Sequence, residues 1–243
     1  MTRRTGNTIP VPGDYHFRAV HEGLAPQRFW HKERFAASLE ALGPQPNLRI
    51  LDVGCGSGLF ADQAAKLPGS QVVGVDANEA AIEFATKTFA RENLSFRLGM
   101  LDELDLEPGS FDRISLLEVI EHVYEDQARV TLADFHRLLA PGGQLVISTP
   151  NMRSAWPLIE WVLDRTGTTA QMAGEMHVAG YTPASLERLC EEAGFRLLTS
   201  STLFVVSPWL SLASRRLARL AYKLERASPV PLGSLIVQSF ERV

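Results

Sequence analysis

The chain has 243 residues, of which 45% are hydrophobic and 21% are charged, so it can bury one sizeable core, and we expect a single domain over residues 1–243. The formal net charge of −4 lacks the basic excess of proteins that bind nucleic acid phosphates, which argues against a nucleic acid partner. No apolar run at the N-terminus resembles a signal peptide and no segment is as long as a membrane-spanning helix, so a cytoplasmic location is expected.

The N-terminal part of the chain, residues 1–45, is predicted to form a helical cap. Aromatic residues recur among polar ones, and Pro26 suits the first turn of a helix. The pattern indicates one or two helices, which either fill out the core or lie over the mouth of a ligand site. The aromatic residues of this region are Tyr15, Phe17, Phe29, Trp30 and Phe35.

Residues 46–151 contain short apolar runs that alternate with helix-like segments. The runs are RILDV, VVGV, RISLL and LVIST, and ANEAAIEFATKTFARE is typical of the segments between them. Short runs rich in Val, Ile and Leu are typical of strands that are buried on both faces. Their alternation with helices predicts a parallel sheet covered by helices on both sides.

The stretch ILDVGCGSGLF at residues 50–60 predicts a site for a nucleotide-sized ligand. An apolar strand runs directly into Gly54, Gly56 and Gly58, which let the backbone turn sharply and approach a ligand closely. Asp76 closes the next strand, where a carboxylate can hold the two hydroxyls of a ribose. A disulfide at Cys55 would obstruct this loop, so we expect a reducing compartment.

Two other interpretations explain the loop less well. A dinucleotide-binding fold needs Gly-x-Gly-x-x-Gly, but Leu59 stands where its third glycine would fall, which disfavours a nicotinamide oxidoreductase. An ordinary strand-to-helix turn would explain the glycines but not the acid at residue 76.

Two further segments follow the loop, FDRISLLEVIEHV at 111–123 and LLAPGGQLVISTPN at 138–151. Taken together with the glycine loop and Asp76, they resemble the class I S-adenosylmethionine-dependent methyltransferases, closest in motif to the ubiquinone-biosynthesis type of O-methyltransferase. The resemblance implies a Rossmann-like α/β fold. This is a doubly wound, mostly parallel seven-stranded sheet with helices on both faces and a last antiparallel strand. It also implies S-adenosyl-L-methionine as the cofactor.

The resemblance further implies which residues contact the cofactor. The glycine loop would pass under the methionine portion, and Met100 and Leu101 would flank the adenine. Relatives often carry an acid just after the third strand, whereas here the first acid is Asp102. The expected cofactor residues are Asp52, Gly54, Cys55, Gly56, Gly58, Asp76, Ala77, Met100, Leu101, Asp102 and Glu118.

Glu118, Glu121 and His122 are spaced so that they would share one face of a helix. An imidazole can accept a proton at neutral pH, so His122 is the candidate general base, with Glu121 orienting it. The resemblance also offers a divalent metal bound by all three side chains, although no metal is our main expectation. The structural alternative is that Glu118 caps a helix and His122 only makes hydrogen bonds within the fold.

Residues 152–181 are predicted to form a lid beyond the carboxyl end of a strand, where open α/β sheets bind ligands. Trp156, His177 and Tyr181 are candidate contacts for the methyl acceptor. Each of them could instead belong to a hydrophobic wall that shapes specificity.

Residues 182–243 are predicted to complete the sheet with two strands. Thr182 and Pro183 begin a helix that stops at Gly194, and Ser207 with Pro208 begins another that continues to residue 226. In the second helix, basic residues lie apart from the apolar set Leu210, Ala213, Leu217, Leu220 and Leu224. We expect this apolar stripe to pack on the core, with contact of the helix to an anionic membrane or to an acidic substrate as the alternatives.

These features predict a methyltransferase for a small-molecule acceptor. The expected acceptor is a hydroxyl of a quinone-like, lipid-linked, sugar or secondary-metabolite substrate. An N-methyltransferase acting on a small amine and a non-catalytic cofactor-binding partner subunit remain as alternatives. No motif indicates the oligomeric state.

Overall fold

A computed structural model describes residues 11–157, 178–228 and 230–243. In this part of the chain, seven strands form one sheet in the order β3-β2-β1-β4-β5-β7-β6. β7 runs antiparallel to both of its neighbours, whereas the other pairs are parallel, which confirms the predicted mostly parallel sheet. The strands are β1 Arg49–Val53, β2 Gln71–Asp76, β3 Leu94–Leu98, β4 Phe111–Leu117, β5 Leu139–Pro150, β6 Phe195–Leu203 and β7 Leu235–Arg242.

The α-helices in the described ranges are α1 Tyr15–His21, α2 Ala25–Ala41, α3 Leu59–Ala64, α4 Glu79–Thr88, α5 Glu125–Leu138, α6 Pro183–Glu192, α7 Ser207–Leu210 and α8 Arg215–Ala227. Single 3-10 turns cover Leu101–Glu103 and Ile120–His122. Within those same ranges, no helix combines the length and the apolar character that crossing a bilayer requires.

Hydrophobic cores lie on both faces of the sheet, as predicted. Successive side chains of a strand point to opposite faces, so Ile50 joins the core that includes Phe35 of α2, while Leu51 joins the core that includes Phe135 of α5. Both β1 residues are fully buried. This double burial explains why the central strands read as continuous apolar runs.

Two predicted helix signals are confirmed. Thr182 precedes α6, and its hydroxyl oxygen accepts a hydrogen bond from the backbone N–H of Ser185 at 3.2 Å. The same helix ends at Glu192, two residues before Gly194, whose φ is +86°. Local side-chain chemistry was therefore sufficient to place these helix ends.

The helix predicted over residues 207–226 is divided in two, and Ser207 is not its cap. The hydroxyl of Ser207 donates to Glu225 at 2.6 Å, and the same carboxylate accepts from the N–H groups of Val206 and Ser207 at 2.8 Å each. α7 therefore ends after one turn, and α8 begins separately with Ser214 as its N-cap. A carboxylate from the second helix replaces the predicted cap of the first.

The expected packing of the apolar stripe is wrong for most of its members. Leu210 does pack against the core, but Ala213, Leu217, Leu220 and Leu224 are exposed. α8 instead buries Ala218 and Tyr222. The reason is aromatic fit, because the Tyr222 ring stacks on Phe204 with centroids 5.6 Å apart and meets Phe29 of α2 edge-on at 6.0 Å.

Candidate functional site

The glycine loop lies between the end of β1 and the start of α3. Gly54, Gly56 and Gly58 have φ of +69°, +49° and +79°, a region that favours glycine. A Cβ at Gly54 would lie 2.3 Å from Cγ2 of Val119, and one at Gly56 would lie 2.7 Å from Nδ1 of His16. Glycine is therefore required for the path of the backbone, as the sequence predicted.

Asp76 holds the loop from the end of β2. Its Oδ2 accepts a hydrogen bond from the Gly56 N–H at 2.8 Å, and its Oδ1 accepts from the Asn78 N–H at 2.8 Å. Each carboxylate oxygen can accept a second hydrogen bond, so the group can still bind hydroxyls. Asn78 then caps α4 and donates through its side chain to the Val11 carbonyl at 2.9 Å, which draws the N-terminal segment across this edge.

Asp52 is buried at the end of β1. Its Oδ1 accepts a hydrogen bond from Ser115 of β4 at 2.8 Å, whereas its Oδ2 has no hydrogen-bond partner among the described residues. Burial raises the pKa of Asp52 to about 7, against the opposing effect of the Ser115 hydrogen bond. An unpaired buried oxygen beside a glycine loop suits a cationic group of a ligand.

The raised pKa of Asp52 predicts a pH-dependent stability. Because it lies above the ordinary value of 3.8, the folded state binds more protons than the unfolded chain between these values. The stability that Asp52 contributes is present below this window and is lost as the pH rises through about 7. Between about pH 5 and about pH 8, the free energy of unfolding of the wild type should therefore fall by about 3 kcal/mol relative to that of Asp52→Asn, measured by urea unfolding.

Asp105→Asn, at an exposed aspartate, is the control for this measurement. A difference between Asp52→Asn and wild type that stayed constant across the same pH range would show that Asp52 does not carry the buried proton.

A second layer of the site comes from α2, and the sequence analysis missed it. His31 and Arg34 are buried, with Nη2 of Arg34 3.3 Å from Nδ1 of His31. The guanidinium carbon lies 4.6 Å from the Trp30 ring and 4.7 Å from the Phe35 ring. Its Nε has no hydrogen-bond partner within the described part of the chain. The sequence signal for this layer was the three-residue spacing of His31 and Arg34, which lie between the aromatic residues Trp30 and Phe35. The same spacing is typical of the solvent-exposed side of a helix, so it does not by itself indicate a site.

His16 of α1 lies over the glycine loop. Burial, with a smaller effect of Arg34, lowers the pKa of His16 to about 3, so the imidazole is neutral. A small cavity of about 20 Å³ remains beneath this layer, with room for about one water molecule. It is lined by His16, Arg34, Phe35, Asp52, Gly54, Cys55, Ser57, Leu59, Phe60 and Leu117.

Glu118 follows β4 in a left-handed conformation with φ of +59°, which is uncommon for a residue with a side chain. Its N–H donates to the Ser148 carbonyl at 3.0 Å, and its Oε1 accepts from the Ser148 hydroxyl at 2.7 Å. Its Oε2 lies 3.9 Å from Nη1 of Arg34. Glu118 is therefore fixed at the site from two sides, and it does not cap a helix.

The shared helix face predicted for Glu118, Glu121 and His122 is not formed. The left-handed backbone at Glu118 breaks the segment, which leaves one 3-10 turn at Ile120–His122. Oε2 of Glu121 accepts from the Thr149 hydroxyl at 3.0 Å, and its Oε1 lies 3.9 Å from Nε2 of His122. Burial, followed by the charge of Glu118, raises the pKa of Glu121 well above its usual range.

The metal option at these three residues has no support in the geometry. Across residues 11–157, 178–228 and 230–243, no group of three or more His, Cys, Asp or Glu side chains is arranged to hold a metal ion. Glu118 and Glu121 each accept a hydrogen bond from β5 instead.

The residues expected around the adenine lie at the 3-10 turn that follows β3. Met100 is exposed, Leu101 packs partly into the core, and Asp102 is exposed on the 3-10 turn after β3. Ala77 follows Asp76 and is half-buried. Cys55 is a buried free thiol whose pKa is raised well above its ordinary value by burial, so it is not a reactive nucleophile.

Of the three candidate acceptor contacts, two lie in the described chain. Tyr181 is buried, its hydroxyl has no hydrogen-bond partner among the described residues, and burial together with Glu121 raises its pKa to about 12. Trp156 is half-buried after β5. His177 and most of the predicted lid lie outside the described residues. Glu121 connects to this region, since its carbonyl accepts from the N–H groups of Val178 and Ala179 at 2.9 and 3.2 Å.

Comparisons with known proteins place this arrangement in a family. A family model described as a methyltransferase domain matches residues 27–200. A ubiquinone biosynthesis O-methyltransferase of Xanthomonas oryzae pv. oryzae (strain PXO99A) is 31% identical over 164 residues, which cover 61% of this chain and 67% of that protein. A protein of the same name from Xanthomonas euvesicatoria pv. vesicatoria (strain 85-10) is 29% identical over 235 residues, which cover 90% and 95% of the two chains.

The fold is also similar to that of solved methyltransferases. The crystal structure of the N-methyltransferase NodS from Bradyrhizobium japonicum WM9, in complex with S-adenosyl-L-homocysteine, aligns with a TM-score of 0.60 at 17% identity and covers 94% of this chain and 97% of that chain. Among the described residues, Oδ2 of Asp52 and Nε of Arg34 have no hydrogen-bond partner, and both side chains line the small cavity beside the glycine loop. The chain therefore belongs to the class I S-adenosylmethionine-dependent methyltransferases, with a sequence similar to those of the ubiquinone-biosynthesis O-methyltransferases.

Proposed function

We propose that this protein methylates a hydroxyl group of a small molecule, of the quinone-like, lipid-linked, sugar or secondary-metabolite class. The observation that carries the proposal is the pair of His122 and the buried Glu121, whose Nε2 and Oε1 atoms lie 3.9 Å apart, because methylation of a hydroxyl needs a group that accepts its proton. The names of the Xanthomonas relatives support oxygen as the acceptor atom.

The chain's own residues would hold the cofactor, which when bound supplies a methyl group on a positively charged sulfur. Asp76 would accept hydrogen bonds from the ribose hydroxyls, and Asp52 would pair with the amino group of the methionine portion. Arg34 would bind the carboxylate of the same portion, because it is a buried cation that lines the same small cavity as Asp52 and Gly54. Met100 and Leu101 would flank the adenine.

Cofactor entry would require α1 to move. The cavity beneath His16 is too small for the methionine portion, and the imidazole lies over Gly56. α1 has only seven residues, no side chain caps its start, and the residues that it contributes to the core are Val20 and, in part, Phe17. Its displacement would therefore expose few core side chains. We therefore propose that α1 and α2 form the cap of the site, which excludes water once the ligands are bound.

His122 would act as the general base for the acceptor hydroxyl. Its side chain is 14% exposed, so it can meet a substrate, and Glu121 lies beside it on the same turn. Burial raises the pKa of Glu121, which favours the neutral carboxyl, a form that can donate a hydrogen bond to a neighbouring group. Tyr181 and Trp156 would form the wall against the acceptor.

Replacing His122 with alanine should lower kcat for a catechol acceptor by about 100-fold or more, because general base catalysis contributes about 10²–10⁴-fold. Calorimetric affinity for S-adenosylhomocysteine should change by less than about threefold, since the base does not hold the cofactor.

The proposed location is a reducing cytoplasm, because Cys55 and Cys190 are both free thiols. The activity assays should therefore be carried out in reducing buffer.

The matched control is His136→Ala, at a histidine that is half-buried like His122 and whose ring nitrogen lies 3.1 Å from the Val243 carbonyl. If His122→Ala kept the wild-type rate, His122 would be removed from the mechanism. A full rate on amines together with no rate on any hydroxyl would replace the oxygen acceptor with nitrogen.

A further inference from the structure

An exposed apolar surface covers α7, the turn after it and one side of α8. The exposed fractions are 48% for Trp209, 66% for Leu212, 46% for Leu217, 57% for Leu220 and 66% for Leu224. Exposed apolar residues normally occur singly, whereas these five lie within 16 residues of one another along two packed helices. A surface of this kind indicates a partner.

The leucines of α8 cannot be buried by rotating the helix. At about 3.6 residues per turn, Leu217, Leu220 and Leu224 share one face, and Ala218 and Tyr222 lie on the nearly opposite face. Tyr222 stacks on Phe204, and its hydroxyl donates to the Glu33 carbonyl of α2 at 3.4 Å. Turning the leucines inward would expose this aromatic contact, so the leucine face is held toward solvent.

α8 carries four exposed cations, Arg215, Arg216, Arg219 and Lys223, of which Arg216 and Lys223 lie next to the leucine face at 3.6 residues per turn. None of them has an acidic side chain within 4.0 Å among the described residues, whereas Arg226 pairs with Glu40 at 2.8 Å. The acid of α8, Glu225, is occupied by the N–H groups that begin α7. The helix therefore presents a basic flank on a chain whose formal net charge is −4.

We propose that α7 and α8 dock on an anionic phospholipid surface. The leucines and Trp209 would enter the boundary between head groups and acyl chains, and the basic flank would lie at the level of the phosphates. A second copy of this chain suits the surface less well, because a symmetric contact would bring the two sets of four cations together. The proposal does not depend on the identity of the methyl acceptor.

Co-sedimentation with vesicles tests this proposal on the full chain at low salt. Wild type should sediment with phosphatidylcholine vesicles that contain phosphatidylglycerol and much less with phosphatidylcholine alone. Leu220→Ser/Leu224→Ser and Arg216→Gln/Arg219→Gln should each lower the partition coefficient by about tenfold or more. All four positions are exposed, so the melting temperature should stay unchanged and report that the variants fold.

Matched controls remove similar groups elsewhere. Val130→Ser deletes an exposed apolar side chain of α5, and Lys87→Gln/Arg188→Gln deletes two exposed cations, and neither should change binding. Three results would overturn the proposal. They are no sedimentation with the anionic vesicles, sedimentation that both test variants retain, and a dimer in light scattering that Leu220→Ser/Leu224→Ser dissociates.

Discussion

Asp76→Ala is expected to weaken binding of S-adenosylhomocysteine by about 100-fold or more, measured by calorimetry. In the proposed complex the carboxylate accepts two hydrogen bonds from the ribose, and hydrogen bonds to a charged group contribute about 1.5–3 kcal/mol each. Alanine also releases the N–H groups of Gly56 and Asn78, which the carboxylate holds at 2.8 Å in the free protein. The substitution therefore removes a ligand contact and loosens the loop that surrounds it.

Two companion variants separate these effects. Asp76→Asn keeps one acceptor oxygen but lacks the charge, so its affinity should lie between those of Asp76→Ala and wild type. Asp105→Ala removes an exposed carboxylate and should bind normally. An affinity for Asp76→Ala within about threefold of wild type would mean that the ribose is held elsewhere.

Arg34→Met should also weaken S-adenosylhomocysteine binding by about 100-fold, because removing one partner of a buried charge pair costs about 2–5 kcal/mol. Methionine keeps much of the length and the apolar contact with Trp30 and Phe35, which lie 4.6 and 4.7 Å from the guanidinium carbon. The loss would then come from the carboxylate of the ligand and not from lost packing.

A truncated ligand distinguishes this role from a general loss of structure. Methylthioadenosine lacks the amino acid portion, so Arg34→Met should bind it with nearly wild-type affinity. Arg34→Lys keeps the charge and should recover part of the affinity for S-adenosylhomocysteine. Equal losses for both ligands in Arg34→Met would show that Arg34 supports the fold of the cap and does not bind the carboxylate.

Sequence reasoning placed the glycine loop correctly because its signal is contiguous. Backbone geometry at Gly54, Gly56 and Gly58 depends on the residues themselves, and β1 and β2 lie side by side in the sheet, which brings Asp76 to the loop. The same reasoning failed at Glu118. The spacing of Glu118, Glu121 and His122 fits a continuous helix as well as it fits the observed left-handed residue followed by a 3-10 turn. The left-handed conformation of Glu118 is held by hydrogen bonds to Ser148, which belongs to the neighbouring strand β5. The spacing of residues along the chain cannot show such a contact between two strands.

In α8, too, the sequence predicted the local pattern but not the packing. Periodicity correctly predicted that Leu217, Leu220 and Leu224 share a face, but it carries no information about what lies opposite. The fit of Tyr222 between Phe204 and Phe29 directs that face outward, and those three rings come from separate parts of the chain.

Local order in the chain was thus enough to predict the parallel sheet with helices on both faces and the sharp turns of the glycine loop, and the motifs in that order carry the resemblance to the methyltransferase family. The charge inside the site was not predictable in this way. His16, His31 and Arg34 meet Asp52 and Glu118 only because α1 and α2 fold back across the strand ends. Burial alters the pKa of His16, His31, Arg34 and Asp52, and burial is a property of packing between distant segments.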